Sequence, residues 1–268
     1  MPIASVNGLE LNYQLEGDGP DTVVLVNGLA DDLWTWDYQV PALLEAGFQL
    51  LRFDNRGVGA SSKPVGPYTT RMFAEDTKAL VDHLGLSGFH MLGISMGGMI
   101  AQEYALGWPA DLASVVLACT YAAPGPFCGR MYALWAELAV HGGLSSVMRD
   151  VLLWSFTPEF FEDRPEEAAE FDTALRMVNQ PVPAYLAQIW SIQHHDTTDC
   201  IARVQTPTLV LAGDRDILIP VALSKRLQEN IPGAEWATTP GGHACMWEYP
   251  DEFNGCVIEF LSRHRRKP

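Results

Sequence analysis

The sequence predicts an α/β protein: a doubly wound, mostly parallel sheet with a helical cap insertion. Three observations predict it. Short β-branched runs alternate with helical patterns in both the first and the last part of the 268-residue chain, which is the pattern of crossover connections between parallel strands. The runs are apolar throughout rather than at every second residue, as strands covered on both faces are. From about 121 to 200 the alternation stops and only helix-like stretches remain.

The chain begins as a hairpin. Ile3 to Val6 and Leu9 to Leu15 flank Asn7-Gly8, a dipeptide that supplies the two positive φ angles of a tight hairpin turn. Thr22 to Val26 follows as a buried strand, then Phe48 to Phe53, Gly88 to Ile94, Ala113 to Ala118, Thr208 to Ala212 and Glu235 to Thr239. Helical spacing covers Tyr38 to Ala46, Thr70 to Leu84, Ser95 to Leu106, Pro220 to Asn230 and about Pro250 to Arg263. Within the insertion it covers Met131 to His141, Leu144 to Ser155, Pro165 to Met177 and Pro183 to Gln193. The expected organisation is one domain, 1–268, with a core of 1–120 and 201–268 and a helical cap over about 121–200. The cap should lie over the C-terminal edge of the sheet, where open α/β folds bind ligands.

Composition narrows the class. Formal net charge is −16, which argues against nucleic acid and anionic membrane as partners. The basic tail from Arg263 to Lys267 complements the end of the last helix. No apolar stretch approaches the ~20 residues of a membrane span, and Met1 to Ser5 lacks the features of a signal peptide, so a cytoplasmic location is expected. The five cysteines form no C-x-x-C pair, which suits a reduced compartment and no zinc knuckle. A homo-oligomer is compatible with the sequence, and no motif encodes it.

Chemistry concentrates at Gly93-Ile94-Ser95-Met96-Gly97, which follows an apolar run and opens a helix. A serine between glycines at −2 and +2 is the pattern of a nucleophile elbow. The sharp strand-to-helix turn forces the serine toward positive φ, and side chains at the flanking positions would collide with strand and helix. A serine hydroxyl needs a base, and the base needs an orienting acid. Two later strands end in loops that carry both: Gly213-Asp214-Arg215-Asp216 and Pro240-Gly241-Gly242-His243. The order Ser95, aspartate, His243 is the one expected when all three sit at the C-terminal ends of parallel strands. Of the other histidines, His90 within the elbow strand reads as structural, and His194-His195-Asp196 lacks the spacing of a metal site. Asp54 to Ser61 is glycine-bearing but lacks a P-loop lysine, and Asp54 and Arg56 read as braces of that loop.

Taken together, Val26-Asn27-Gly28-Leu29, Phe53-Asp54-Asn55-Arg56-Gly57-Val58-Gly59-Ala60-Ser61, the Ser95 elbow, Gly213-Asp214-Arg215-Asp216 and Gly242-His243 with Glu248-Tyr249-Pro250 resemble the α/β-hydrolase fold superfamily over nearly the whole chain. Within it the chain is similar to the serine esterase and lactonase branch, including enol-lactonase-like and cofactor-free haloperoxidase-like members. The resemblance implies a catalytic Ser95, Asp216 (the second aspartate, four residues before Pro220) and His243. It implies an oxyanion hole from the backbone amides of Met96 and Leu29. Asn27-Gly28 stands where relatives usually carry His-Gly. The implied activity is hydrolysis of a carboxylic ester or lactone of a hydrophobic small molecule, with no metal or organic cofactor.

The apolar residues of the insertion and of the loops after the strands are divided between packing and pocket wall. Trp34, Trp135, Trp154, Trp190 and Met246 are the wall candidates. Three other functions compete. The same residues could cleave a carbon–carbon bond beside a ketone in an acidic ring-fission product, with Arg130 as the needed cation. They could support perhydrolysis, or the scaffold could be a non-catalytic ligand receptor. A serine at the elbow excludes dehalogenases and epoxide hydrolases of this fold, which use aspartate there.

Overall fold

The computed structural model describes residues 1–266. In chain order its elements are β1 (Ile3–Val6), β2 (Leu9–Glu16), β3 (Asp21–Val26), α1 (Val40–Glu45), β4 (Phe48–Phe53), α2 (Thr70–His83), β5 (Phe89–Ile94), α3 (Met96–Gly107) and β6 (Leu112–Ala118). Then come α4 (Pro126–Gly142), α5 (Leu144–Ser155), α6 (Pro158–Asp163), α7 (Pro165–Leu175) and α8 (Val182–Gln193). The chain closes with β7 (Thr208–Gly213), α9 (Val221–Asn230), β8 (Glu235–Thr239), α10 (Cys245–Glu248) and α11 (Pro250–Arg263). Lys267, the last cation of the basic tail, lies outside the described residues.

The eight strands form one sheet in the order β1-β2-β4-β3-β5-β6-β7-β8. The hairpin β1–β2 and the β2–β4 pair are antiparallel, and every other pair is parallel. Asn7 and Gly8 both have positive φ, 49° and 73°, as the hairpin turn requires. The predicted doubly wound, mostly parallel sheet is therefore observed.

The apolar runs bury both faces, and the side-chain period of two sorts them. Val24, Val26, Met91, Val115, Leu117 and Val210 point to the face covered by α2, α3 and α9. Val23, Leu25, Leu92, Val116, Leu209 and Leu211 point to the face covered by α1 and α11. Each fully buried valine or leucine of this kind contributes about 1.5–3 kcal/mol, so the central strands anchor the loops that leave them.

Two local differences from the expected elements have simple causes. The helix expected from Tyr38 starts only at Val40, because Leu33–Trp36 forms a separate 3₁₀ turn capped by Asp32. The six-residue α6 had no sequence signal, since one and a half turns are too short to display a period. Among the described residues no helix is long and apolar enough to cross a membrane.

The chain runs from β3 to β4 on one side and returns to β5 on the other. Strand order reverses there, so the loops after β3 and β5 diverge and leave a crevice at their C-terminal ends. Both the Leu29 loop and the Ser95 elbow border it.

Candidate active site

Ser95 joins β5 to α3 with φ 55° and ψ −118°, a conformation that costs a non-glycine residue about 1–3 kcal/mol. Its neighbours hold it there. The Ser95 amide donates to Ala118 O at 2.9 Å, and Thr120 Oγ1 donates to Ser95 O at 2.9 Å. A Cβ on Gly93 would sit 2.2 Å from Gly97 O, and one on Gly97 would sit 2.0 Å from Val26 O. Both glycines are thus required by close backbone approach.

The two aspartates after β7 separate cleanly. Asp214 Oδ1 accepts from the Gly241 amide at 3.2 Å and braces the loop after β8. Asp216 has a fully buried side chain; its Oδ1 accepts from the Ile219 amide at 2.8 Å, and its Oδ2 accepts from His243 Nδ1 at 2.8 Å. That contact fixes the ring orientation and leaves Nε2 free to face the cavity. Ser95 and His243 border the same cavity, and no direct hydrogen bond joins them among the described ones. Such contacts commonly tighten only once substrate is bound.

The loop bearing His243 is tied to the helical segment above it. Ala244 N–H donates to Ser155 O at 2.9 Å. Buried Glu248 accepts from the Gly242 amide at 3.0 Å and from the Thr157 hydroxyl. Beneath the ring, Cys119, Asp216 and His243 present polar atoms within 4.8 Å of one another. Asp216 and His243 are spent on each other, and the Cys245 sulfur together with burial holds the Cys119 thiol well above its usual range. A protonated thiol is a poor metal ligand.

The loop after β3 is held by side chains from three directions. Asn27 Nδ2 donates to Phe53 O at 2.8 Å, and Asn27 Oδ1 accepts from Trp36 Nε1 at 2.7 Å. Ala30 has φ 64°, and its amide donates to Gln188 Oε1 at 3.0 Å, while Gln188 Nε2 donates to Arg56 O. Asp54 accepts from the Leu33, Ala60 and Asn12 side-chain or backbone N–H groups, and Arg56 is paired with Asp76. The amides of Leu29 and Met96 donate to no protein acceptor among the described hydrogen bonds, and the first amides of a helix have no acceptor within it.

One largely apolar cavity collects these loops. Leu29, Asp31, Ser95 and His243 form its floor; Tyr132, Trp135, Met148, Phe156, Met246 and Trp247 are prominent in its walls. Of the expected wall residues, Trp135 and Met246 border it. Trp34 borders an adjoining cavity instead, half exposed beneath the Arg52 guanidinium. Trp154 and Trp190 lie off both. Trp154 turns its indole N–H to Asp150, and Trp190 stacks on His194 at 3.7 Å on the surface. Arg130 is exposed and borders neither cavity.

Other histidines are occupied elsewhere. His90 bonds Ser114 at 2.8 Å, and His195 bonds Thr70 at 3.0 Å; burial lowers each to a pKa of about 4. The sequence did not single out Gln188 or Asp31, and Glu248 stood in it only as part of the Glu248-Tyr249-Pro250 motif, with no sign of its bonds to Gly242 and Thr157. Asp31 carried a signal of its own, as an acid two residues beyond Leu29.

The alpha/beta hydrolase fold family matches residues 21–140. Over 255 residues the chain is 31% identical to 3-oxoadipate enol-lactonase 2 of Acinetobacter baylyi, covering 94% of this chain and 93% of that protein. It is 28% identical to a protein assigned as the carbamate hydrolase RutD of Azorhizobium caulinodans, covering 97% and 98%. Among solved structures, the enol-lactonase from Burkholderia xenovorans superposes with a TM-score of 0.90 at 30% identity, covering 97% of this chain and all of that one. The chain belongs to the α/β-hydrolase fold family, and these relatives are hydrolases.

Proposed function

We propose that the protein is a serine hydrolase that cleaves carboxylic esters or lactones of hydrophobic small molecules. Ser95 Oγ attacks the carbonyl carbon while His243 Nε2 takes its proton. The tetrahedral oxyanion is held by the amides of Leu29 and Met96. The intermediate collapses to an acyl-Ser95 ester as His243 returns the proton to the departing alkoxide. Water then repeats the sequence, releasing the acid and regenerating Ser95. Asp216 keeps the imidazole in the required tautomer and stabilises its cationic form.

The observation that carries this reading is the convergence of three chain-distant groups. A strained serine and a histidine share one cavity, and the histidine is hydrogen-bonded at 2.8 Å to a buried aspartate. The predominantly aromatic and aliphatic wall favours a hydrophobic substrate. Carbon–carbon cleavage of an acidic product loses its supporting cation, since Arg130 lies outside the cavity.

The test is Ser95→Ala assayed on short p-nitrophenyl esters. Turnover should fall by about 10⁴-fold or more with the circular dichroism spectrum unchanged. A fluorophosphonate should add to the wild-type chain once, at Ser95. Undiminished hydrolysis by the alanine variant would remove Ser95 from the mechanism.

A further inference from the structure

Among the described residues, Asp31 is the one carboxylate lining the Ser95 cavity. A Cβ on Gly28 would lie 2.6 Å from Asp31 Oδ2 and 3.6 Å from Ser95 Cβ, which places the carboxylate beside the nucleophile and the Leu29 amide. Asp31 also borders the adjoining cavity, which shares Leu175 and Trp247 with the first. That second space is acidic and aromatic: Asp32 and Asp37 accompany Trp34, Tyr38 and Phe171. Among the described residues, neither cavity has a lysine or arginine in its lining.

The charged side chains on the loops around Asp31 are mostly acidic. Asp32 and Asp37 share its loop, and Asp54 lies at the end of β4. Arg52, on β4, is spent on Glu16 and Asp37. Tyr132 of α4 and His243 of the loop after β8 line the same cavity as Asp31, and Tyr38, from the loop before α1, lines the adjoining one. A substrate carboxylate bound here would meet a like charge at Asp31 and find no lysine or arginine in the lining to pair with. An ammonium group would meet a carboxylate and aromatic faces, the two surfaces that hold such cations.

We propose that Asp31 is a specificity-determining residue that turns the site against substrates bearing a carboxylate and toward neutral esters and esters bearing a protonated or quaternary amine. The inference rests on the serine-hydrolase reading and names the substrate class of that same site. It also separates this chain from a lactonase whose substrate keeps a free carboxylate. Burial pushes the Asp31 carboxyl up to about 7; Asp32 adds to the rise, and His243 and the Gly28 amide oppose it. The discrimination therefore strengthens as pH rises through 7 and Asp31 loses its proton.

The test uses three p-nitrophenyl esters of matched length: octanoate, the monoester of suberic acid, and 7-(trimethylammonio)heptanoate. kcat/KM is measured at low ionic strength at pH 6 and pH 8 for the wild type, Asp31→Asn and Asp31→Ser. The cation-to-anion ratio cancels the requirement for neutral His243, which all three esters share. In the wild type it should be about tenfold or more at pH 8 and smaller at pH 6. In both variants it should fall to within about threefold and lose its pH dependence. Should either variant fail to fold, the wild-type pH dependence and the other variant still decide. An anionic ester cleaved as fast as the neutral one, or a ratio unchanged in Asp31→Asn, overturns the inference. Hydrolysis that survives Ser95→Ala is a different failure, that of the serine mechanism itself.

Discussion

The loops at the strand ends and the helices above them hold the cavity by different forces. Below, position is set by directional bonds and backbone contact. Ser95 and Ala30 sit at positive φ, Gly93 and Gly97 leave no room for a methyl group, and Asp216 and Asn27 each use both side-chain polar atoms. Above, position is set mainly by stacked aromatics: Phe156 against Phe160 at 4.3 Å, with Phe171 and Trp247 alongside. One carboxylate, Asp150, accepts from the indole N–H groups of both Trp135 and Trp154. Directional bonds tolerate little displacement, whereas apolar packing accepts volume-conserving change for under about 1.5 kcal/mol. The lower layer fixes its side chains closely, and the upper layer is free to vary the shape of the cavity.

The sharpest way to break this contrast is to disturb one directional bond below. Asp216→Asn keeps the volume but presents an N–H where His243 Nδ1 needs an acceptor. It should lower kcat on a short p-nitrophenyl ester by about 10⁴-fold while leaving the thermal midpoint near that of the wild type. Asp214→Asn, which alters only a loop brace at 3.2 Å, should cost less than about tenfold. Equal losses would mean that the two aspartates are not divided between orientation and bracing.

The same contrast explains what could be read from the sequence. The sheet was legible because each central strand is an unbroken apolar run, and the candidates Ser95, Asp216 and His243 stood out because each lies in a short local pattern just beyond a strand. Gln188 was not, because the Ala30 amide it receives lies 158 residues away. Glu248 lay in a recognisable motif, but its partner Thr157 was hidden for the same reason, 91 residues away. Trp135 and Trp154 are chemically alike in the sequence, yet only Trp135 borders the cavity. Helical spacing gives the period of a face and not which neighbour that face will meet.

A disturbance of the upper layer should act on selectivity and stability more than on chemistry. Trp135 is 2% exposed, so Trp135→Ala should cost about 3–5 kcal/mol of stability. It should also enlarge the space over Ser95. On p-nitrophenyl acetate kcat should change by less than about fivefold, while the preference among acyl chains moves toward longer ones. Trp135→Phe, which keeps most of the volume, should restore the wild-type profile. A loss of kcat on acetate as large as that of Asp216→Asn would show that the helices do more than shape the wall.

The smallest effect concerns the two buried histidines, one on each side of the contrast. His90 lies within β5 against Ser114, and His195 follows α8 and bonds Thr70 of α2. Burial lowers both to about 4 in the folded chain, whereas an unfolded histidine takes its proton near 6.5. Between those values the unfolded state binds more protons, so their contribution to stability is intact above pH 6.5 and is lost as pH falls toward 4. Each should remove about 1.4 kcal/mol per pH unit in the middle of that window. Asp31 acts in the opposite sense, because its raised carboxyl keeps a proton in the folded chain that the unfolded chain has released. Urea midpoints at pH 7 and pH 5 separate these contributions when the wild type is set beside His90→Gln and His195→Gln. Each variant should lose less stability than the wild type on acidification. If His195 ties the helical segment to the core, its protonation should also expose that segment to limited proteolysis at pH 5 before the sheet unfolds. Protonation of His90, inside the sheet, should produce no such partial opening.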